Sequence, residues 1–470
     1  MAGNGRTTKS KRGGFTMLLP KPLRKYLGFA FLNCWTSVLL TSSVVLHHSL
    51  FEGTQLVGHL YIVAFYSAIA LVVAIASNRL APLGPRRRGS LSFGALGCVG
   101  FALVVLAIRV FESPALLVAG YFLTTCTLVW LTLCWQEAYA LHGARSATLL
   151  LAITSFLGTL LFFALSPLPE NAMIAAGVLL PLLGALLIPR DARRFAPKTN
   201  PLPPATLLKT APYKLLSIVA LISFAAGAMR TSGEFQVLTF TNAIEWLGFG
   251  SCSAIATLFG CYAVSRFRKK GIELVFYVSI PLVSLGCAAL GLLRGEGSMM
   301  GLTAVTMGSV AVRIAAWVLL LDKALVSKTA PLGMFALLIA FENVGALFGQ
   351  TLSVAAQLPS NTLVYLCLLA TTAAALMLSL ARERFSISEK ALVGQPVNLL
   401  EMKIDRLSDR SKLSPREREI LHLWATGRKS SYIENALSIS HNTAKTHIKH
   451  IYEKAGVSSK EELLNLLEEC

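Results

Sequence analysis

The final segment of the chain begins with the sequence Leu413-Ser-Pro-Arg-Glu-Arg-Glu-Ile-Leu421. Ser414 can cap the first amides of a helix, Pro415 suits the first helical position, and Glu417 completes a capping box. Apolar residues follow at helical spacing until Gly427, which is typical of a helix end. The pattern therefore predicts a helix that starts at Pro415 and stops near Gly427.

The next signals predict two helices joined by a tight turn. Ser431-Tyr-Ile-Glu434 repeats the capping pattern and opens a short helix that ends near Leu437. The turn is Ser438-Ile-Ser440, and Ser440 caps a longer helix over residues 441–455. Two helices in this order form a helix-turn-helix unit, whose second helix enters the major groove of DNA.

The order and register of these signals resemble the DNA-binding domain of the LuxR (NarL-type) transcriptional regulators. The resemblance covers 413–470 and implies a small, cytoplasmic, four-helix domain that binds double-stranded DNA as a homodimer. Lysine and threonine can contact phosphates or base edges. The resemblance places these residues at the DNA: Thr443, Lys445, Thr446, His447 and Lys449. It places these residues of a last helix, about 459–467, in the dimer contact: Leu463, Leu464 and Leu467.

Three residues depart from the family pattern. Glu434 stands where the family prefers alanine, Ala444 where it usually has valine, and Ala455 where it usually has leucine. We expect Glu434 either to alter the angle between the two helices or to point into solvent.

The rest of the chain has the composition of a membrane protein. Hydrophobic residues make up 54% of its 470 residues and charged residues 14%, against about 25% charged in soluble proteins. Only helices or closed barrels can span lipid, and these apolar stretches are too long for barrel strands. The sequence therefore predicts an all-α polytopic bundle. Its twelve spans are 27–46, 56–76, 91–110, 115–135, 147–166, 172–189, 215–231, 243–264, 272–293, 299–321, 332–355 and 361–381.

The charged residues predict the orientation of these spans. A basic tail over 1–26 precedes the first span, and every second loop is basic, such as the one with Arg86, Arg87 and Arg88. This positive-inside pattern predicts the inner membrane of a bacterium, with both termini in the cytoplasm. The net charge of +19 is not a sign of DNA binding, because residues 413–470 carry equal numbers of basic and acidic side chains.

A proline-rich cytoplasmic linker over 190–214 divides the spans into halves, 27–189 and 215–381. Two six-span halves joined in this way resemble the major facilitator superfamily. The loop Asn78-Arg-Leu-Ala-Pro-Leu-Gly-Pro-Arg-Arg-Arg88 loosely follows that family's motif but lacks its aspartate, which argues against active transport. The alternative to a relationship with this superfamily is an unrelated twelve-helix membrane domain.

Polar residues inside the spans are candidates for function because they are costly in lipid. Arg313, Glu342 and Asn343 lie deepest. They predict a ligand site between the two halves; the alternative is a structural ion pair between Arg313 and Glu342. We find no catalytic constellation, cofactor motif or metal-ligand spacing, so we predict neither an enzyme nor a metal site.

The sequence leads to one main hypothesis and two alternatives. The main hypothesis is a one-component transcriptional regulator whose membrane domain binds a small molecule and controls the DNA-binding domain through a polar linker, 382–412. The first alternative is a transporter of the major facilitator type with a regulatory cytoplasmic tail. The second is an inert membrane anchor for a constitutive regulator.

Overall fold

The structure is a computed structural model that forms two compact units, Met1–Val393 and Gly394–Cys470. The described part of the chain is folded into helices, as the sequence predicts. The residues that the structure describes are 21–41, 55–83, 86–165, 167–189, 202–230, 255, 271–293, 296–326, 329–356, 358–380, 404, 407–408, 411, 413–425, 430–437 and 439–469.

Within the described residues, the first unit contains a 3-10 helix, Lys21–Gly28, followed by thirteen α-helices. They are α1 Phe29–Thr41, α2 Gln55–Ile75, α3 Ser77–Leu80, α4 Arg87–Arg109, α5 Pro114–Ala140, α6 Gly143–Leu165, α7 Glu170–Leu186, α8 Pro204–Thr210, α9 Tyr213–Arg230, α10 Gly271–Leu292, α11 Glu296–Val326, α12 Leu332–Ala355 and α13 Ser360–Ser379. Each predicted span coincides with one of these helices, except 243–264, which lies outside the described residues apart from Ile255.

Seven of the described helices are long and apolar enough to cross a membrane. An eighth span results if α8 and α9, which meet at a 77° bend, are counted together. The described apolar part of α2, Leu60–Ile75, and α7 are shorter. The described helices therefore form a multi-pass membrane domain, while the count of twelve spans stays a prediction.

The helices of the two halves pack in the same order. In the first half, α1 packs against α6 and α7, and α4 packs against α5 and α7. In the second half, α9 packs against α12 and α13, and α10 packs against α11 and α13. Counted in predicted spans, these are the same four pairs displaced by six, so the domain has the internal repeat that its two-part sequence predicts.

Among the described helices, the halves meet mainly where α2 packs against α12. On another side, α12 lies against α9 through Gly345 and Gly349, which follow the small-xxx-small spacing of close helix pairs. A Cβ atom on Gly345 would collide with the carbonyl oxygen of Ala220, and one on Gly349 with that of Phe224. The rotation of α12 about its axis is therefore set by contact between two backbones.

In the described part of the second unit, four α-helices from residue 415 onwards surround a small apolar core. The helices are α14 Pro415–Ala425, α15 Ser430–Leu437, α16 His441–Ala455 and α17 Lys460–Glu469. Ser440 caps α16 by accepting a hydrogen bond from the amide of Thr443, and Gly456 ends it with a left-handed φ of 71°. Trp424 donates a hydrogen bond to the Tyr452 hydroxyl at 2.9 Å, which joins α14 to α16. The predicted four-helix order is confirmed.

Candidate DNA interface and intramembrane polar cluster

The capping box at the start of α14 is formed as predicted. The amide of Ser414 donates to Glu417 Oε2 at 2.7 Å, and the amide of Glu417 donates to Ser414 Oγ at 3.3 Å. The buried Glu417 carboxylate also accepts two hydrogen bonds from Lys454 Nζ of α16, at 2.7 and 2.9 Å. Burial raises the pKa of this carboxyl, but the bonds from Lys454 and Ser414 outweigh it, so the net pKa is lowered.

The two faces of α16 are clearly separated. Its inner face carries Ala444, Ile448 and Ile451, which are all buried in the core. The predicted DNA contacts Thr443, Lys445, Thr446 and Lys449 are exposed. The Lys449 side chain is 77% exposed and lies 3.8 Å from Glu453 of the same helix, which leaves it accessible to a phosphate. Direct contact with DNA stays a prediction.

His447, the fifth predicted DNA contact, has a different environment. It is half-buried, and its Nδ1 atom is buried with no hydrogen-bond partner among the described residues. Its ring lies beside Glu417 and His450, and one potential metal-binding atom of each residue lies within 4.8 Å of the other two. The sequence does not predict this group, because Glu417 belongs to another helix, although the spacing of the two histidines puts them on one helical face.

Glu434, which departs from the family pattern, joins the two helices of the helix-turn-helix unit. Its Oε1 atom lies 2.5 Å from Nδ1 of His441, the first residue of α16, and its side chain is 21% exposed. Arg416 of α14 also contacts the end of the first of these helices, because its Nη2 atom donates to the carbonyl oxygen of Leu437 at 2.7 Å. Glu434 therefore pairs across the turn instead of pointing freely into solvent.

The predicted dimer residues of α17 differ in their burial. Leu463 and Leu467 lie in the core of the unit, at 0% and 2% exposure, whereas Leu464 is half-buried. Of the three, Leu464 therefore retains the most surface for a partner. The dimer contact stays a prediction.

The core of this unit also includes residues of the predicted linker. Ile404 and Leu407 are 1% and 0% exposed and belong to the same apolar cluster as Ile420 and Ile451. The amide of Ser411 donates to the carbonyl oxygen of Leu407 at 2.8 Å, and α14 begins four residues later, at Pro415. The packed core thus begins upstream of residue 413.

Inside the membrane domain, Arg313 of α11 and Glu342 of α12 form an ion pair. Arg313 Nη1 lies 3.2 Å from Glu342 Oε1, and the two side chains are 47% and 25% exposed. The neighbours Val312 and Ile314 are buried, so Arg313 is a partly exposed residue between two packed positions of α11. Asn343 donates to the carbonyl oxygen of Ile339 on its own helix at 2.8 Å and stands outside the pair.

Two residues of the first half complete this polar cluster. Tyr66 of α2 lies beside Thr132 of α5 and is near enough to Glu342 and Arg313 for their charges to act on its hydroxyl group. The four side chains therefore come from four helices, two in each half. The sequence analysis missed Tyr66 and Thr132 because a lone hydroxyl in a long apolar span is unremarkable without knowledge of which helices are adjacent.

The loop after predicted span two, which lacks the aspartate of the family motif, contacts the carboxylate of Glu137. The amide of Leu83 donates to Glu137 Oε2 at 2.8 Å, and Leu83 itself is fully buried. Glu137 lies in the last turn of α5, so this loop is attached to the end of predicted span four.

Comparisons with known proteins found similarities to both units. Residues 411–467 match the family of bacterial regulatory proteins described as the luxR family. A search of curated proteins found no match to the chain.

Solved structures of transporters share the fold of the remainder. The human organic anion transporter MFSD10 (TETRAN) superposes with a TM-score of 0.54 at 13% identity, over 76% of this chain and all of its own. The E. coli fucose:proton symporter FucP gives 0.52 at 15% identity, over 76% and 98%. A bacterial homologue of the iron transporter ferroportin gives 0.54 at 12% identity, over 76% and 96%. The membrane domain therefore has the major facilitator fold.

Proposed function

We propose that this chain, a LuxR-family helix-turn-helix domain joined to a membrane domain of the major facilitator fold, is a membrane-embedded one-component transcriptional regulator. The observation that carries the proposal is the exposed face of α16. Its inner face is committed to the core, which leaves Lys445, Thr446 and Lys449 free to enter a major groove. The domain would bind DNA as a homodimer, as LuxR-family domains do.

The membrane domain would bind the signal at its polar cluster. Arg313, Glu342, Tyr66 and Thr132 come from both halves, and the ion pair is partly exposed. Ligand sites of this fold lie near the bilayer midplane between the two repeats. A small molecule that binds one arrangement of the halves more tightly than another would shift their populations.

The linker would pass this change to the DNA-binding domain. Ile404 and Leu407 are packed inside that domain, so any force or rearrangement in the preceding segment acts on its core. In this proposal both termini lie in the cytoplasm of a bacterium, on the inner membrane, as the basic loops predict. Reporter fusions at residue 200 and at the C-terminus test this orientation, since both should give cytoplasmic signals.

The decisive experiment is genome-wide chromatin occupancy of the intact protein beside the variant Lys445→Ala/Lys449→Ala. Discrete peaks that disappear in this variant are the expected result. The matched control, Lys209→Ala/Lys214→Ala, removes the same charge from exposed sites outside the domain and should keep the peaks. Occupancy that is identical in all three proteins would contradict the DNA-binding role of α16.

A second candidate function is transport, which the polar cluster favours. The organic anion transporter and the fucose:proton symporter named above share this fold, and a midplane ion pair suits a substrate path. Uptake that survives deletion of residues 382–470 and is lost in Arg313→Ala would support it.

Regulation that survives replacement of the membrane domain by an unrelated anchor would argue against ligand sensing.

A further inference from the structure

Three side chains that could bind a metal ion lie where α14 packs against α16, off the face of α16 that carries Lys445 and Lys449. Glu417 of α14 and His447 and His450 of α16 place one oxygen and two nitrogen atoms within 4.8 Å of one another. His450 Nδ1 lies 4.0 Å from Glu417 Oε1. Two imidazoles and one carboxylate on adjacent helix faces form the donor set that divalent transition metals prefer.

The state of His447 supports a site rather than a chance grouping. Its Nδ1 atom is buried and has no hydrogen-bond partner among the described residues. Buried polar atoms are normally paired, because an unpaired one keeps the cost of losing water without compensation. A metal ion or a bridging atom beside the ring would supply that compensation.

The environment of Glu417 shows that the position already accommodates positive charge. Lys454 Nζ lies 2.9 Å from Oε1 and 2.7 Å from Oε2 of this carboxylate, whose side chain is 5% exposed. The Lys454 side chain is 41% exposed, so its long stem can swing the ammonium into water. A bound metal ion would take the place of the Lys454 ammonium, so the buried carboxylate would keep a positively charged partner.

We propose that Glu417, His447 and His450 bind one divalent transition-metal ion of the zinc or cobalt type, in exchange for the Lys454 ammonium. Both imidazoles bind in their neutral form, and solvent completes the coordination. The ion crosslinks α14 to α16 through three protein ligands in place of the Glu417–Lys454 ion pair, and the hydrogen bond from Trp424 to Tyr452 remains beside it. It lies on the opposite side of α16 from Lys445 and Lys449, so it stiffens the recognition helix without covering its DNA-binding face.

The test is a titration of the full-length, chelator-treated protein in detergent with cobalt(II), followed by displacement with zinc(II). We expect one saturable site per chain with a visible ligand-field spectrum. The variant His450→Asn should weaken binding at least about 10-fold, since even partners outside the coordination shell contribute that much. His450 is exposed, so this variant should keep the thermal unfolding of the metal-free protein.

Two further variants make the result specific. The control His441→Asn changes the same residue type on the same helix outside the group and should bind cobalt as the unmodified protein does. Lys454→Gln removes the competing ammonium and should bind cobalt more tightly. Absence of a saturable site, or equal affinity of the unmodified protein and His450→Asn, would overturn the proposal. Loss of binding in His441→Asn alone would overturn it too, by placing the metal at the Glu434–His441 pair.

Discussion

Replacing Leu407 with alanine should destabilise the DNA-binding domain although the residue lies six positions upstream of the predicted domain start at 413. Its side chain is fully buried in a core shared with Ile420 and Ile451. Leucine-to-alanine changes at such sites cost about 2–5 kcal/mol, the lost transfer energy plus the cavity. A domain the size of Gly394–Cys470 has roughly 4–12 kcal/mol of stability in total. A loss near 3 kcal/mol would raise its unfolded fraction about 100-fold, since each 1.4 kcal/mol is a factor of ten.

The assay is unfolding of the full-length protein by urea in detergent. The sensitivity of the C-terminal unit to protease reports its unfolded fraction at each urea concentration. The expected result is a lower urea midpoint for Leu407→Ala. The milder Leu407→Met should lose less than about 1.5 kcal/mol, because it conserves volume. As a second comparison, Leu464→Ala at a half-buried position should cost less than Leu407→Ala. An unchanged midpoint for Leu407→Ala would refute the reasoning, because it would mean that the linker is not part of the folded core.

Three further predictions concern charged groups. Lys449→Ala should weaken DNA binding at low salt and reduce the magnitude of the slope of log K against log salt by about 1, since one phosphate contact is lost; an unchanged slope would exclude that contact. The lowered pKa of Glu417 stabilises the folded domain above the unfolded value of about 4.5, and this stabilisation is lost as the pH falls below it. Glu417→Gln should therefore flatten the acid limb of thermal stability in the C-terminal unit, and an unaltered limb would contradict the assignment. Arg313→Met should lower the thermal stability of the membrane domain more than the double change Arg313→Met/Glu342→Leu does. The single change leaves the Glu342 carboxylate unpaired at membrane depth, whereas the double change removes both charges. Equal losses would show that the ion pair adds nothing.

The sequence predicted the local structure of the C-terminal domain well because the signals there are local. Ser414, Glu417 and Ser440 cap the helices that they were expected to cap, and caps act over three or four residues. The role of Glu434 was not predicted, since its partner His441 lies seven residues away across a turn. The group of Glu417 with His447 and His450 was missed for the same reason, because it joins two helices that only the fold brings together.

The membrane domain was predicted from hydropathy and charge, which determine where spans lie but not how they pack. The ion pair between Arg313 and Glu342 was among the two alternatives, and the structure contains it. The contributions of Tyr66 and Thr132 depend on the packing of α2 and α5 beside the second half. No periodicity in the sequence identifies that neighbourhood, because both helices are apolar around most of their circumference.

The glycine contact between α9 and α12 has a consequence for the shape of the response. Where two backbones touch at Gly345 and Gly349, no flexible side chain remains to absorb a small displacement of either helix. Glu342 lies less than one turn before Gly345 on α12, so a ligand that displaces the backbone of α12 at Glu342 would displace α9 with it. Such rigid pairs exchange between discrete arrangements rather than deforming gradually. In a cell that carries this protein, each molecule would then be either on or off, and the ligand concentration would set only the proportion of molecules in each state.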